Sequence, residues 1–344
     1  MYPAHSGGDA GRDQPDRAGF APPLGASRRT VRNHRPLVTP QLSRSLGRER
    51  DEEPPTARLD SAPMDADPCI HSEVHLTEPD GWVLLLSPRA VHRLVVFVHG
   101  FRGETLSTWQ EFPSAVAATC WWRESDMLFV GYDSMTASVA GTADQLRRGV
   151  EAFYPHLPPQ VEQGTTPRDG TTVYSELVLV GHSLGGVIVR SALCDAAERW
   201  LHALSSDPAA PKPPILHAEV RLFSPAHGGF RPGGWLALLR ETAAWRIAEP
   251  WLKRASAYTD LQQGSETLVA LRRRADRHLA RDQDAFRALR AHIVWAEPDN
   301  VVLQIPYDTD YPDDHIPGRT HSSVCKPRVS YSLPRDFVEH GAVP

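Results

Sequence analysis

The stretch Leu177-Val178-Leu179-Val180-Gly181-His182-Ser183-Leu184-Gly185-Gly186-Val187-Ile188-Val189-Arg190 constrains the chain more than any other. Its first part is an apolar, β-branched run of strand type that stops at Gly181. Small residues follow, and a helical pattern begins at once. Gly181-x-Ser183-x-Gly185 sets a serine at a sharp strand-to-helix turn, in a strained backbone conformation with Oγ pushed clear of the sheet. Side chains two positions to either side of that serine would strike the crossing backbone, so glycine is required at both. The helix behind it aims unpaired N–H groups at the same point. The five-residue pattern alone is weak; the strand before it and the helix after it make it a nucleophile elbow.

Such an elbow calls for a sheet around it. Ser72 to Thr77 alternates polar and apolar residues, as an edge strand does. Further strands are expected at Trp82 to Leu86, Leu94 to Val98, Asp126 to Tyr132, Glu176 to Val180, Glu219 to Phe223 and His292 to Ala296. The unbroken Leu-Val-Val-Phe-Val of the third suits burial on both faces. Helices are expected at Thr108 to Ala118, at Thr142 to Tyr154, at Leu184 to Leu204, and briefly around Arg335 to Glu339. Alternating strands and helices predict an α/β fold, with a mostly parallel central sheet and helices on both faces. Function in such sheets gathers at the carboxyl ends of the strands. Residues 230–290 read as a helical insertion before the last of these strands, carrying Trp235, Trp245 and Trp251. It would serve as a lid or cap with an apolar acyl-binding surface, or simply pack as amphipathic helices. Residues 1–68, rich in Pro, Gly, Arg, Ser and Asp, show no apolar periodicity. They predict a disordered tail before one domain at 69–344, with translation expected to start at Met64.

A serine hydroxyl needs a base beside it, usually an imidazole oriented by a carboxylate. Behind an elbow of this kind the chain order is serine, acid, histidine. Asp299, just past the last strand and before Val301-Val302, is the first choice of acid. Glu297 is second, and Asp308 and Asp310 trail. Of the histidines that follow, His340 lies almost at the C-terminus and His315 sits in a Pro-flanked loop. His321, at a loop tip before Val324, is the expected base. A metal pair of His315 and His321 lacks a third ligand. The oxyanion needs N–H donors, expected from Leu184, after the nucleophile, and from Phe101, after His99-Gly100. His99 and His227 precede the acid, so His99 reads as structural and His227 as a wall of the site.

The formal charge of −5 argues against nucleic acid as the main partner. No apolar run approaches the ~20 residues of a membrane span, and Met1 to Ala10 lacks the apolar core of a signal peptide. Cys69, Cys120, Cys194 and Cys325 show no metal-ligand spacing. They read as free thiols in a reducing compartment, so the expected location is cytoplasmic. Oligomeric state and transient contact with a membrane surface stay open.

Val96-Phe97-Val98-His99-Gly100-Phe101, Gly181-His182-Ser183-Leu184-Gly185-Gly186 and Thr320-His321-Ser322-Ser323 resemble the α/β-hydrolase superfamily. Within it they resemble the lipase-like branch related to serine esterases and inositol-deacylase-type proteins. Ser224-Pro225-Ala226-His227-Gly228-Gly229 is similar to the T-P-H-x-G loop of that branch, departing from it at Ala226. The resemblance spans roughly Glu73 to Phe337. It implies an ester or lipid hydrolase with a Ser183, Asp299, His321 triad and neither metal nor organic cofactor. Acyl transfer or amide hydrolysis on the same scaffold, and a binding protein that keeps the fold without catalysis, are the alternatives.

Overall fold

Strands β1 (Ser72–His75), β2 (Val83–Leu86), β3 (Arg93–Val98), β4 (Ser125–Val130), β5 (Glu176–His182), β6 (Glu219–Phe223), β7 (Ala291–Glu297) and β8 (Asp314–Pro317) form one sheet in the computed structural model. It describes residues 71–76, 81–113, 120–159, 161, 172–231 and 260–343, all within the unit Arg58–Pro344. The strand order is β1-β2-β4-β3-β5-β6-β7-β8. β1 with β2 and β2 with β4 pair antiparallel; every later pairing is parallel. The order reverses at β3, which lies between β4 and β5. Open α/β sheets bind ligands in the crevice at such a reversal. Register brings the strand ends together there, with Val98 opposite both Val130 and Gly181, and His182 opposite Phe223.

The central strands are buried on both faces, which explains their unbroken apolar runs. Leu94, Val96 and Val98 of β3 join one core cluster, while Val95 and Phe97 join the other. β5 divides the same way, with Leu177 and Leu179 to one side and Val178 and Val180 to the other. On the first face lie helices α2 (Val139–Phe153), α3 (Leu184–Ser206) and α4 (Glu266–Arg281), with Leu146, Val187 and Leu271 in that core. On the second lie α1 (Cys120–Arg123) and α5 (Leu333–His340), through Trp122 and Phe337. Phe97 stacks on Phe129 with ring centroids 4.7 Å apart, and Trp109 and Phe112 close around it. Each such aromatic or aliphatic side chain adds about 1.5–3 kcal/mol by leaving water. This is the α/β-hydrolase fold.

Local chemistry sets the helix boundaries. α2 starts at Val139, earlier than the apolar pattern suggests, because Ser138 Oγ caps it by accepting from Gly141 N. Ser265 Oγ accepts from Leu268 N at the head of α4. α5 ends on Gly341, in the left-handed conformation at φ 78°. The expected helix from Thr108 is not formed over 108–113. Turns with Trp109 N to Leu106 O and Phe112 N to Trp109 O replace it, and Gln110 at φ 46° interrupts any helix there. Of the insertion at 230–290, α4 is seen as a helix; Trp235, Trp245 and Trp251 lie outside the described residues. So do the tail at 1–68, Met64 and Cys69. Among the described residues no helix is long and apolar enough to cross a membrane.

Candidate active site

The site is built where β5 ends. Ser183 stands between β5 and α3 at φ 55°, ψ −118°, a conformation that side chains rarely adopt. Its N–H donates to Phe223 O at 3.1 Å, and its own carbonyl accepts from Gly186 N and Ala226 N, each at 3.1 Å. The turn is therefore pinned from both flanks. The elbow glycines are required by contact: a Cβ on Gly185 would lie 2.0 Å from Val98 O, and one on Gly181 2.8 Å from Gly186 N. Ser183 holds the N-cap position of α3 but makes no side-chain cap bond. Its hydroxyl is engaged elsewhere.

That partner is His321. Nε2 of His321 lies 2.9 Å from Ser183 Oγ, and Nδ1 lies 2.9 Å from Asp299 Oδ2. With its proton on Nδ1, the imidazole donates to Asp299 and accepts the Ser183 O–H. Asp299 Oδ1 accepts from Val301 N at 2.9 Å and Val302 N at 3.1 Å, so both carboxylate oxygens are spoken for. The apolar pair after the acid supplies the amides that hold it. All three residues are buried, exposed by no more than 3%. Burial raises the pKa of Asp299, but the His321 hydrogen bond and charge and the two amides outweigh it and hold the carboxyl below its ordinary range.

Phe101 and Leu184 flank the same point. A Cβ on Gly100 would come 2.8 Å from Ser183 Cβ, so the loop after β3 packs directly on the elbow. That loop is braced throughout. Gly103 N donates to Gly100 O at 2.9 Å, Arg102 N to Ser134 Oγ at 2.7 Å, and Tyr132 Oη to His99 O at 2.6 Å. Tyr132 also stacks on the His99 ring at 4.2 Å. Neither the Phe101 N–H nor the Leu184 N–H donates to a described residue.

The other candidates are placed elsewhere. Glu297 is exposed, Asp308 is exposed and pairs with Arg272 at 2.9 Å, and Asp310 is buried against Arg190. His315 faces Asp313 at 3.8 Å, and exposed His340 donates from Nδ1 to Asp336 O. His99 Nδ1 bonds Gly100 O at 2.9 Å, a contact within the loop. His227 is buried and accepts from Arg190 Nε at 3.0 Å. Cys194 and Cys325 are buried free thiols, each pushed up to about 12 chiefly by burial. Among the described residues no group of three His, Cys, Asp or Glu side chains is disposed to hold a metal ion.

Several supporting residues were not legible as such. Ser224, at φ 38°, accepts from Ala296 N through Oγ at 2.9 Å, and Gln304 Nε2 donates to Ala296 O at 2.7 Å. Together they fasten the end of β7 ahead of Asp299. Tyr132 and Ser134 do the same for the loop after β3. The signal for Tyr132 was its place at the end of a buried strand, where a polar tip reaches the loops.

Strand order and elbow define the class by its architecture: the chain has the α/β-hydrolase fold. Residues 88–211, which carry β3, the elbow and α3, match the family described as Putative serine esterase (DUF676). The match covers little more than a third of the chain, and over that stretch it agrees with the serine-esterase resemblance of the motifs. No curated protein matches the sequence. Among solved structures, the chain is similar to the Bacillus licheniformis lipase BlEst2 in its propeptide form, at 17% identity and TM-score 0.43. That likeness covers 74% of this chain and 51% of the lipase, so the chain spans about half the lipase's length. It is also similar to the peroxisomal α/β-hydrolase Lpx1 of Saccharomyces cerevisiae, at 11% identity and TM-score 0.39 over 76% of this chain and 79% of that one. At these scores both stand as likenesses only.

Proposed function

We propose that the protein cleaves a carboxylic ester with a lipid-like acyl chain through a Ser183–His321–Asp299 triad and an acyl-enzyme. The observation that carries this reading is the buried relay of two 2.9 Å contacts from Ser183 Oγ through His321 to Asp299. Ser183 Oγ attacks the ester carbonyl while His321 Nε2 takes its proton. Asp299 keeps the imidazole in the required tautomer and stabilises the imidazolium that forms. The N–H groups of Leu184 and Phe101 receive the oxyanion. His321 then protonates the departing alkoxide, and the alcohol leaves. A water that gives its proton to His321 attacks the acyl-enzyme, and collapse of the second tetrahedral intermediate releases the acid and restores Ser183.

An apolar acyl chain suits the surroundings. Phe101 is half-buried, and Gly228 packs against Leu303 and Ile305, with Ile305 40% exposed. Gly228 itself lies on the loop whose Ala226 N–H holds the Ser183 carbonyl.

A fluorophosphonate probe should label the wild-type protein at Ser183 and leave Ser183→Ala unlabelled. A series of p-nitrophenyl esters should show kcat/KM rising with acyl length. A folded wild type that resists the probe and hydrolyses no ester would overturn the triad. Preference for the shortest esters would overturn the lipid-like substrate alone.

A further inference from the structure

His182 stands where the strand pattern calls for an apolar side chain. β5 is buried from Leu177 through His182, and His182 itself is 7% exposed. Its Nε2–H donates to the backbone carbonyl of His321 at 2.8 Å, and the two rings lie 4.9 Å apart between centroids. Its Nδ1 is buried with no partner among the described residues. A Cβ on Gly100 would come 3.1 Å from that nitrogen. The residue that precedes Ser183 in the chain therefore bonds the backbone of His321 and packs beside Gly100, just before Phe101.

His321 rides on a turn, with Ser323 N and Val324 N both bonded back to Thr320 O, and not on a strand or helix. A base so mounted needs an anchor to the element that carries the nucleophile. We propose that His182 is a positioning residue, whose Nε2–H, bonded to the His321 carbonyl, fixes the base over Ser183 Oγ.

The inference rests on the triad reading above. Two further observations support it. Burial, followed by the neighbouring His321, pushes the His182 pKa down to about 3, so the ring stays neutral. It then carries one proton, and the His321 carbonyl requires that proton on Nε2. The unpartnered Nδ1 is the second. A leucine or methionine would fill this volume without burying an orphaned acceptor, so packing alone gives no reason for an imidazole here.

The test compares His182→Met with His182→Gln, two side chains of nearly equal length of which only glutamine can donate at the depth of Nε2. Thermal unfolding establishes that each is folded at the assay temperature. Fluorophosphonate labelling rates and p-nitrophenyl ester kinetics are then measured on each. Misplacing the base should lower kcat and the labelling rate of His182→Met by about 10- to 100-fold. KM should stay within about twofold, since substrate contacts are untouched. His182→Gln should recover most of the loss. Labelling of folded His182→Met within twofold of wild type would reduce His182 to a packing residue and overturn the proposal, as would a His182→Gln no faster than His182→Met. If His182→Met does not fold, His182→Leu takes its place with the same reading. Failure of the triad itself has a separate signature, because the wild type would then resist the probe.

Discussion

His321 can accept the Ser183 proton only with its own proton on Nδ1, and Asp299 Oδ2 at 2.9 Å is what holds it there. Asp299→Asn offers an amide that can favour the opposite tautomer, so kcat should fall by about 10³- to 10⁴-fold. Glu297→Gln, at an exposed side chain, should stay near wild type in the same ester assay. An equal loss in both would move the acid role. The same carboxyl also links stability to pH. Its folded pKa lies below the ordinary 3.8, so the stability it contributes is full above 3.8 and is lost as pH falls through the lower folded value. The advantage of wild type over Asp299→Asn in urea midpoint should therefore shrink as pH drops below 3.8; an advantage that grows there would contradict the sign. Ser183, Asp299 and His321, which the structure joins through two 2.9 Å contacts, could be singled out as candidates in the sequence because chain order behind an elbow prunes the acids and histidines to a few. His182 and Tyr132 were not, because each acts through a backbone carbonyl, His321 O or His99 O, and no residue pattern marks a carbonyl.

Val98 at the end of β3 lies opposite Gly181 near the end of β5, and in the proposed mechanism the loop that follows β3 presents the Phe101 N–H beside Ser183. The end of β4 braces it, through Tyr132 Oη to His99 O at 2.6 Å. Tyr132→Phe keeps the ring that stacks on His99 and removes only that bond. The loop then shifts without losing its donor, so kcat should fall about tenfold, less than the ~10²-fold or greater loss from deleting an oxyanion donor outright. KM should be unchanged in steady-state ester kinetics; a Tyr132→Phe enzyme indistinguishable from wild type would show that Ser134 and Gly103 suffice. The elements themselves were legible to different degrees. Apolar runs marked β3 and β5 because burial on both faces favours such a composition. β8 escaped because it is a four-residue edge strand, Asp-His-Ile-Pro, in which Ile316 alone is buried. The turns at 105–113 imitated a helix because Trp109 and Phe112 sit three apart, a spacing that serves a pair of turns as well.

Across the whole molecule, the half of the sheet from β5 to β8 is tied by one side chain. Arg190 lies seven residues into the elbow helix, about 10 Å beyond Ser183 along the axis. Its guanidinium is 1% exposed and reaches three connections: Nη1 donates to Leu289 O at 2.7 Å, Nε to His227 Nε2 at 3.0 Å, and Nη2 to Asp310 Oδ1 at 2.5 Å. Asp310 in turn accepts from Ala291 N and Tyr307 N, each at 2.9 Å, and so secures the start of β7 and the chain leading to β8. Tyr307 lies under the guanidinium at 4.3 Å. Helix α3, the loop after β6 and both flanks of β7 therefore meet at a buried ion pair, and its worth is conditional. Removing one partner strands a charge in a site that water does not reach, whereas removing both need not. Asp310→Asn should cost about 3–5 kcal/mol in urea unfolding, because the Arg190 charge loses its counterion. Arg190→Met should cost a similar amount by stranding Asp310. Arg190→Met combined with Asp310→Leu should be less destabilised than the sum of the single changes, since neither charge is then left alone. Additive single and double variants would mean that water reaches the pair after all. The folded double variant should still be labelled by a fluorophosphonate, because the Arg190 guanidinium fastens the frame behind Ser183 through His227, Leu289 and Asp310 and hydrogen-bonds none of Ser183, His321 and Asp299.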